Sequence, residues 1–160
     1  MADQGSSTEL DRALAREDAD DLDRQLRVHQ SYFKAGFQDN TEENHADIDA
    51  VIGAISDPDR SLAYLALATA HFDDEPYLAF LAVDLLEENL LWDPSPEILE
   101  RVLAEGRRDS RFRWMLSHVC ERMIAERARA PVTEIVGARS AETPLPPRCA
   151  PDQTSSTSRL

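Results

Sequence analysis

Asp57-Pro58-Asp59-Arg60-Ser61-Leu62-Ala63-Tyr64-Leu65-Ala66-Leu67-Ala68 is the stretch on which the fold turns. An Asp carboxylate accepts hydrogen bonds from the free amides of a first helical turn, and Pro at the first helical position has no amide to leave unpaired. Asp57-Pro58 therefore opens a helix. The helix runs to about Phe72, and its Leu62 to Ala68 run is apolar on nearly every face, the pattern of a helix buried between neighbours.

Downstream the same punctuation returns. Asp73-Asp74-Glu75-Pro76 closes that helix and opens another over Tyr77 to about Trp92. Its Leu78, Leu81, Leu85 and Leu86 form one face, while Phe80, Val83, Leu90 and Leu91 cover others. Asp93-Pro94-Ser95-Pro96 precedes a shorter amphipathic helix with Ile98, Val102 and Leu103, and Asp109 starts a last one predicted to reach about Ala130. Beyond Pro131 the chain is rich in Pro, Ser and Thr, and residues 138–160 are predicted to be disordered. Upstream, Asp39 and Glu42 have capping-box spacing ahead of Ile48, Val51, Ile52 and Ile55, which gives a helix over Thr41 to Ser56. From Thr8 to His29 the leucines are helically spaced around the charged run Glu17-Asp18-Ala19-Asp20-Asp21, as one helix or two short ones.

An internal repeat supplies an architecture. Laying Asp57 over Asp93 aligns Asp57-Pro58 with Asp93-Pro94, Leu67-Ala68 with Leu103-Ala104, Asp73 with Asp109 and Val83 with Val119. Such periods belong to stacked helical hairpins, in which one pair of helices cannot bury its apolar face alone. The expected fold is all-α: a short stack of helical hairpins, HEAT-like, of about six helices, with a disordered C-terminal tail. Its expected parts are an acidic N-terminal helical segment (1–37), a helical-repeat domain (38–130) and the tail (131–160).

Within residues 57–119, three runs also carry a family likeness: Tyr77-Leu78-Ala79-Phe80-Leu81-Ala82, Leu85-Leu86-Glu87-Glu88-Asn89-Leu90-Leu91, and Arg108-Asp109-Ser110-Arg111-Phe112-Arg113. The stretch resembles a bacterial family of HEAT-like helical domains of unknown function. The resemblance implies the helical fold and no particular chemistry. Small helical proteins of this kind are similar to immunity proteins that neutralise a toxin, which makes inhibition of a partner an expectation by analogy of fold.

Charge narrows the partners. Residues 1–106 hold 25 acidic and 7 basic side chains, and residues 107–160 hold 6 and 10. So acidic a surface repels phosphates, and direct nucleic-acid binding is not expected. No apolar run is long enough to span a membrane and no signal peptide opens the sequence, so a cytoplasmic setting and no membrane partner are expected. Lys34 is the only lysine among 17 basic residues, a usage that suggests a GC-rich bacterial genome.

No phosphate loop, Cys-x-x-Cys pair, zincin helix or nucleophile elbow is present, so no enzyme, cofactor or metal is expected. His71-Phe72-Asp73-Asp74-Glu75 has ligand types at a helix junction, but an N-cap with solvated acids accounts for it. The expected activity is protein–protein interaction. Asp73, Asp74 and Glu75, with Asp84, Glu87 and Glu88 on one sector of the next helix, would steer a basic protein partner, such as a toxin. Trp114, placed on the polar side of the last helix beside His118, and Arg111 on the same helix offer the alternative of a structural or regulatory adaptor. A DNA-mimic inhibitor is a third reading. Asn89, set in an apolar face, is expected to make a buried hydrogen bond. The oligomeric state is not legible.

Overall fold

The computed structural model describes residues 19–38, 41–137 and 143–148. Among them the regular structure is all helical: α1 (Ala19–Lys34), α2 (Glu42–Ile52) with a 3₁₀ turn (Gly53–Ser56), α3 (Pro58–His71), α4 (Glu75–Leu81) continued by a π-helical segment (Ala82–Leu90), α5 (Pro96–Arg108), α6 (Ser110–Leu116) and α7 (Glu126–Val136). The helices stack, α3 with α4 and its π segment, then α5 with α6 and α7. None is long and apolar enough to cross a membrane.

Helix α3 is the centre. Asp57 Oδ1 accepts from the Arg60 amide at 3.1 Å with Pro58 in the first turn, and every residue from Ser61 to Thr69 is buried. The first polar side chain of this buried run, Ser61, donates to Ala54 O at 3.0 Å and accepts from Asn89 Nδ2 at 3.3 Å. These two bonds lock the 3₁₀ turn, α3 and the π segment together, because a buried hydroxyl must find partners. The later caps shift against the 36-residue alignment: Asp74 caps α4, Ser95 caps α5 and Asp109 caps α6.

Of four expectations, three are corrected. First, α1 does not stand apart from the expected helical-repeat domain, because Leu22 and Leu26 are buried in the same core as α3. Second, the Thr41–Ser56 helix holds to within a residue, as α2 from Glu42 with its 3₁₀ turn to Ser56, while the Asp39 cap lies outside the described residues.

Third, the last helix breaks after Leu116. Ser117 Oγ donates back to Trp114 O at 2.5 Å and His118 Nδ1 reaches the same carbonyl at 3.0 Å, side-chain bonds that compete with helix continuation. The loop beyond it buries Val119 and Ile124 and leaves Cys120 and Met123 exposed.

Fourth, the tail does not begin at Pro131. That proline lies inside α7, where Val132 is fully buried and Ile135 packs on the core beside Gly106. Burial of these side chains offsets the hydrogen bond that proline removes. Residues 143–148 lack regular structure yet lie against the body, with Leu145 packed on the core.

The second half of the expected Tyr77–Trp92 helix is wound with i→i+5 bonds over Ala82–Leu90. In this wider winding each residue turns through a smaller angle than in an α-helix. Glu87 therefore swings off the expected acidic sector into the interior, Asp84 is half-buried and Glu88 stays exposed. At the C-terminal end of α4, next to the π segment, an aromatic cluster forms around Phe80. His29 stacks on Phe80 at 6.0 Å, Phe33 on Phe80 at 5.0 Å, and Phe37, whose φ of 63° follows the left-handed Gly36, meets Phe80 at 5.4 Å.

Candidate functional site

Three of the nine residues singled out by sequence, Glu75, Trp114 and His118, line one cleft between α4 and α6, and Asp73, Asp74 and Arg111 adjoin them in the chain. Asp73 and Asp74 occupy the extended link between α3 and α4. Asp74 caps α4 through Oδ1, while its Oδ2 receives Gln30 Nε2 at 3.0 Å and Lys34 Nζ at 3.1 Å from α1. Burial pushes this carboxyl up, but the bonds from Lys34, Gln30 and the Tyr77 amide outweigh it and hold the group below the ordinary carboxylate value. Asp74 is thus spent on joining α1 to α4.

Asp73 faces the other way. Its Oδ1 pairs with Arg111 Nη1 at 3.1 Å and its Oδ2 with Arg148 Nη2 at 2.6 Å. Arg111 is placed by Asp109, whose carboxylate accepts the Arg111 and Phe112 amides at 2.8 and 3.2 Å. The guanidinium is only 3% exposed and also donates to Phe72 O, so the C-terminal end of α3 receives a cation from α6.

Trp114 lies one turn further along α6. Its Nε1 donates to Thr143 O at 2.9 Å, and its ring lies 4.1 Å from that of His118. Glu75 Oε1 accepts the Leu145 amide at 2.8 Å, and Arg148 Nη2 also donates to His71 O at 3.2 Å. The open cleft that remains is lined by Glu75, Pro76, Ala79, Trp114 and His118 together with Thr143 and Pro144.

The geometry corrects several site readings. Trp114 is not an exposed anchor on a polar face: it is 6% exposed, covered by His118 and by residues 143–148. Angular counting on an isolated helix could not register a chain segment folding back over it. Arg111 is no surface cation, being buried against Asp73 and Phe72. Glu87 is 5% exposed, and its Oε2 accepts the Cys120 amide at 2.8 Å. Asp84 and Glu88 sit on the π segment, apart from the residues that line the cleft. Burial, and then the neighbouring Glu88, push the Asp84 carboxyl up.

Other basic side chains are also committed. Arg113 Nη1 bonds Gly106 O at 3.0 Å and Arg107 O at 3.3 Å, closing the end of α5, and Arg127 pairs with Asp93 at 3.3 Å. Sequence reasoning missed the contribution of Thr143, Leu145 and Arg148. Their signal was present in Pro144-Leu145-Pro146-Pro147-Arg148, an extended proline pattern with one large apolar residue and one cation. Among the described residues no group of three or more His, Cys, Asp or Glu side chains is placed to hold a metal ion. The cleft offers an indole donor, a carboxylate that takes an amide, an apolar floor and a carboxylate that takes a guanidinium. No protein family, curated protein or solved structure matches this chain.

Proposed function

We propose that the chain is a non-enzymatic protein–protein interaction module that binds a basic, extended segment of a partner protein in the cleft between α4 and α6. One observation carries this reading: residues 143–148 lie along the cleft, with their main chain bonded to Trp114 and Glu75 and their arginine on Asp73. Donors and acceptors that satisfy an extended backbone and a guanidinium in cis suit the same groups in trans. The acidic surface and Trp114, rival binding places when read from sequence, belong to one site in this reading, and the hairpin stack serves as a rigid HEAT-like support for it. The free Cys120 and the preference for Arg over Lys support a bacterial cytoplasmic setting.

The test uses the full chain carrying Arg148→Ala, so that the cation site on Asp73 is open. A labelled arginine-rich peptide is expected to bind, a glutamate-rich peptide of equal length to be rejected, and Asp73→Asn with Glu75→Ala to weaken binding about tenfold or more. Equal binding of both peptides, or affinity indifferent to the double substitution, overturns the proposal.

A further inference from the structure

We infer that the cleft selects proline-rich segments of the pattern Pro-apolar-Pro-Pro-Arg, and that residues 143–148 fill it as a self-ligand which a partner segment of that pattern must displace. The inference rests on the reading of the cleft as a partner site and adds to it the ligand class and its regulation.

Backbone donors are scarce in this segment. Across Pro144-Leu145-Pro146-Pro147 only Leu145 has an amide N–H. That N–H goes to Glu75 at 2.8 Å. At half-buried Pro146, a residue other than proline would bring in an amide that Glu75 does not serve, and a covered amide without a partner is costly. Glu75 therefore reads register: it locates the one residue between prolines that can donate.

The prolines also hold the segment extended before it binds, which lowers the ordering cost. In a polyproline helix, residues three apart lie on the same edge. Leu145 and Arg148 have that spacing. Leu145 packs on the core while Arg148 reaches Asp73 Oδ2 at 2.6 Å and His71 O at 3.2 Å. At the other end Trp114 Nε1 bonds the carbonyl that precedes the first proline, at 2.9 Å. The indole at one end and the Asp73 carboxylate at the other fix the direction of the bound chain. An arginine without the prolines satisfies only the Asp73 end.

Tethering makes the self-ligand strong. A segment on a short connection sees its site at an effective concentration on the order of 1 mM, so a free peptide of ~100 μM intrinsic affinity is weakened about tenfold while the tether is docked. A partner must then match the pattern more fully or present it more than once.

The experiment compares two full-length proteins, the natural chain and one carrying Leu145→Asp with Arg148→Glu. The probe is a labelled peptide copying residues 141–148, followed by fluorescence anisotropy, with the Trp114 indole N–H signal followed by NMR. The released variant is expected to bind about tenfold tighter than the natural chain, with its indole signal displaced and then restored at saturation. A peptide with the three prolines replaced by Ala is expected to bind at least about tenfold more weakly. Equal affinity of the two proteins overturns the self-ligand, and equal affinity of the two peptides overturns proline selection. In either case, retained binding of an arginine-rich peptide leaves the basic-segment reading standing. A released variant that binds none of these peptides overturns both.

Discussion

The indole Nε1 of Trp114 donates to the main-chain oxygen of Thr143 at 2.9 Å, across 29 positions of sequence. A covered indole N–H needs an acceptor, and here the chain itself returns to supply one. The same return places Leu145 on Glu75 and Arg148 on Asp73, so that the acidic corner before α4 and the basic helix α6 become two walls of a single cleft.

Trp114→Phe keeps an aromatic ring in place and deletes only the donor. One neutral hydrogen bond contributes about 1 kcal/mol, so global stability is expected to fall by that much or less. The more telling effect is local. The Leu145 amide, held by Glu75, is expected to exchange with solvent deuterium several times faster once the neighbouring tether is cut. An unchanged Leu145 exchange rate would show that the indole does not hold the segment.

Glu87 and Glu88 are adjacent in sequence and opposite in consequence. Glu87, buried with its carboxylate on the Cys120 amide, anchors the loop after α6 to the π segment, and Ala125 N adds a second tie to Leu91 O at 2.9 Å. Glu87→Lys replaces an acceptor by a buried cation facing a donor, and is expected to cost about 3 kcal/mol or more. Glu88→Lys changes an exposed side chain and is expected to shift stability by about 0.5 kcal/mol at most. Urea unfolding of the two variants decides it; equal midpoints would mean that Glu87 faces solvent.

That contrast marks how much the sequence discloses. Local signals were legible: Asp57-Pro58 begins α3, the all-round apolar run of α3 is buried, and Asn89 does find a buried partner in Ser61. Features that depend on winding or on distant chain were not. An α-helical count puts Glu87 beside Asp84 and Glu88, and only the wider π winding turns it inward. Periodicity continues through Ser117 because the apolar residues of the loop, Val119 and Ile124, are as buried as helix residues. The tail reads as polar and proline-rich because its partners, Glu75, Asp73 and Trp114, lie far away in sequence. For the site, the acidic residues before α4 were visible in the sequence, but not their pairing with Lys34, Arg111 and Arg148.

Buried histidine sets a pH dependence. His29 is 2% exposed, and its Nδ1–H donates to the Tyr77 hydroxyl at 2.8 Å while that hydroxyl donates to Leu26 O at 3.2 Å. Burial lowers the imidazole from 6.5 to about 4. As pH falls below 6.5 the unfolded chain takes the proton first, so the stability present above that value is lost between pH 6.5 and about 4, at up to ~1.4 kcal/mol per pH unit. Asp84, raised by burial and by Glu88, acts in the opposite sense, since the folded state protonates first there. His29→Gln keeps a donor for Tyr77 and cannot titrate. Its stability is expected to be lower than that of the natural chain at pH 7 and flatter between pH 6.5 and 4. Parallel curves for the two proteins in chemical denaturation would remove His29 as the cause.

Gly106 decides how closely α5 approaches its neighbours. In an exposed helix interior, replacing Gly by Ala gains about 1 kcal/mol from the backbone. Here a Cβ would stand 2.7 Å from Leu116 Cδ1 and 3.2 Å from Ile135 Cγ2. Leu116 is fully buried at the end of α6, so its methyl has little room to retreat, and Ile135 packs on the core from α7. Overpacking of this kind costs about 1–3 kcal/mol, which exceeds the propensity gain. Gly106→Ala is therefore expected to be destabilising by about 1 kcal/mol, and Gly106→Val by more, since branching adds bulk against both methyl groups. Pairing Gly106→Ala with Leu116→Ala removes the opposing methyl and is expected to be less costly than the sum of the two single changes. Thermal unfolding of the two single variants and the double variant measures the coupling, and strict additivity would mean that the two side chains do not meet.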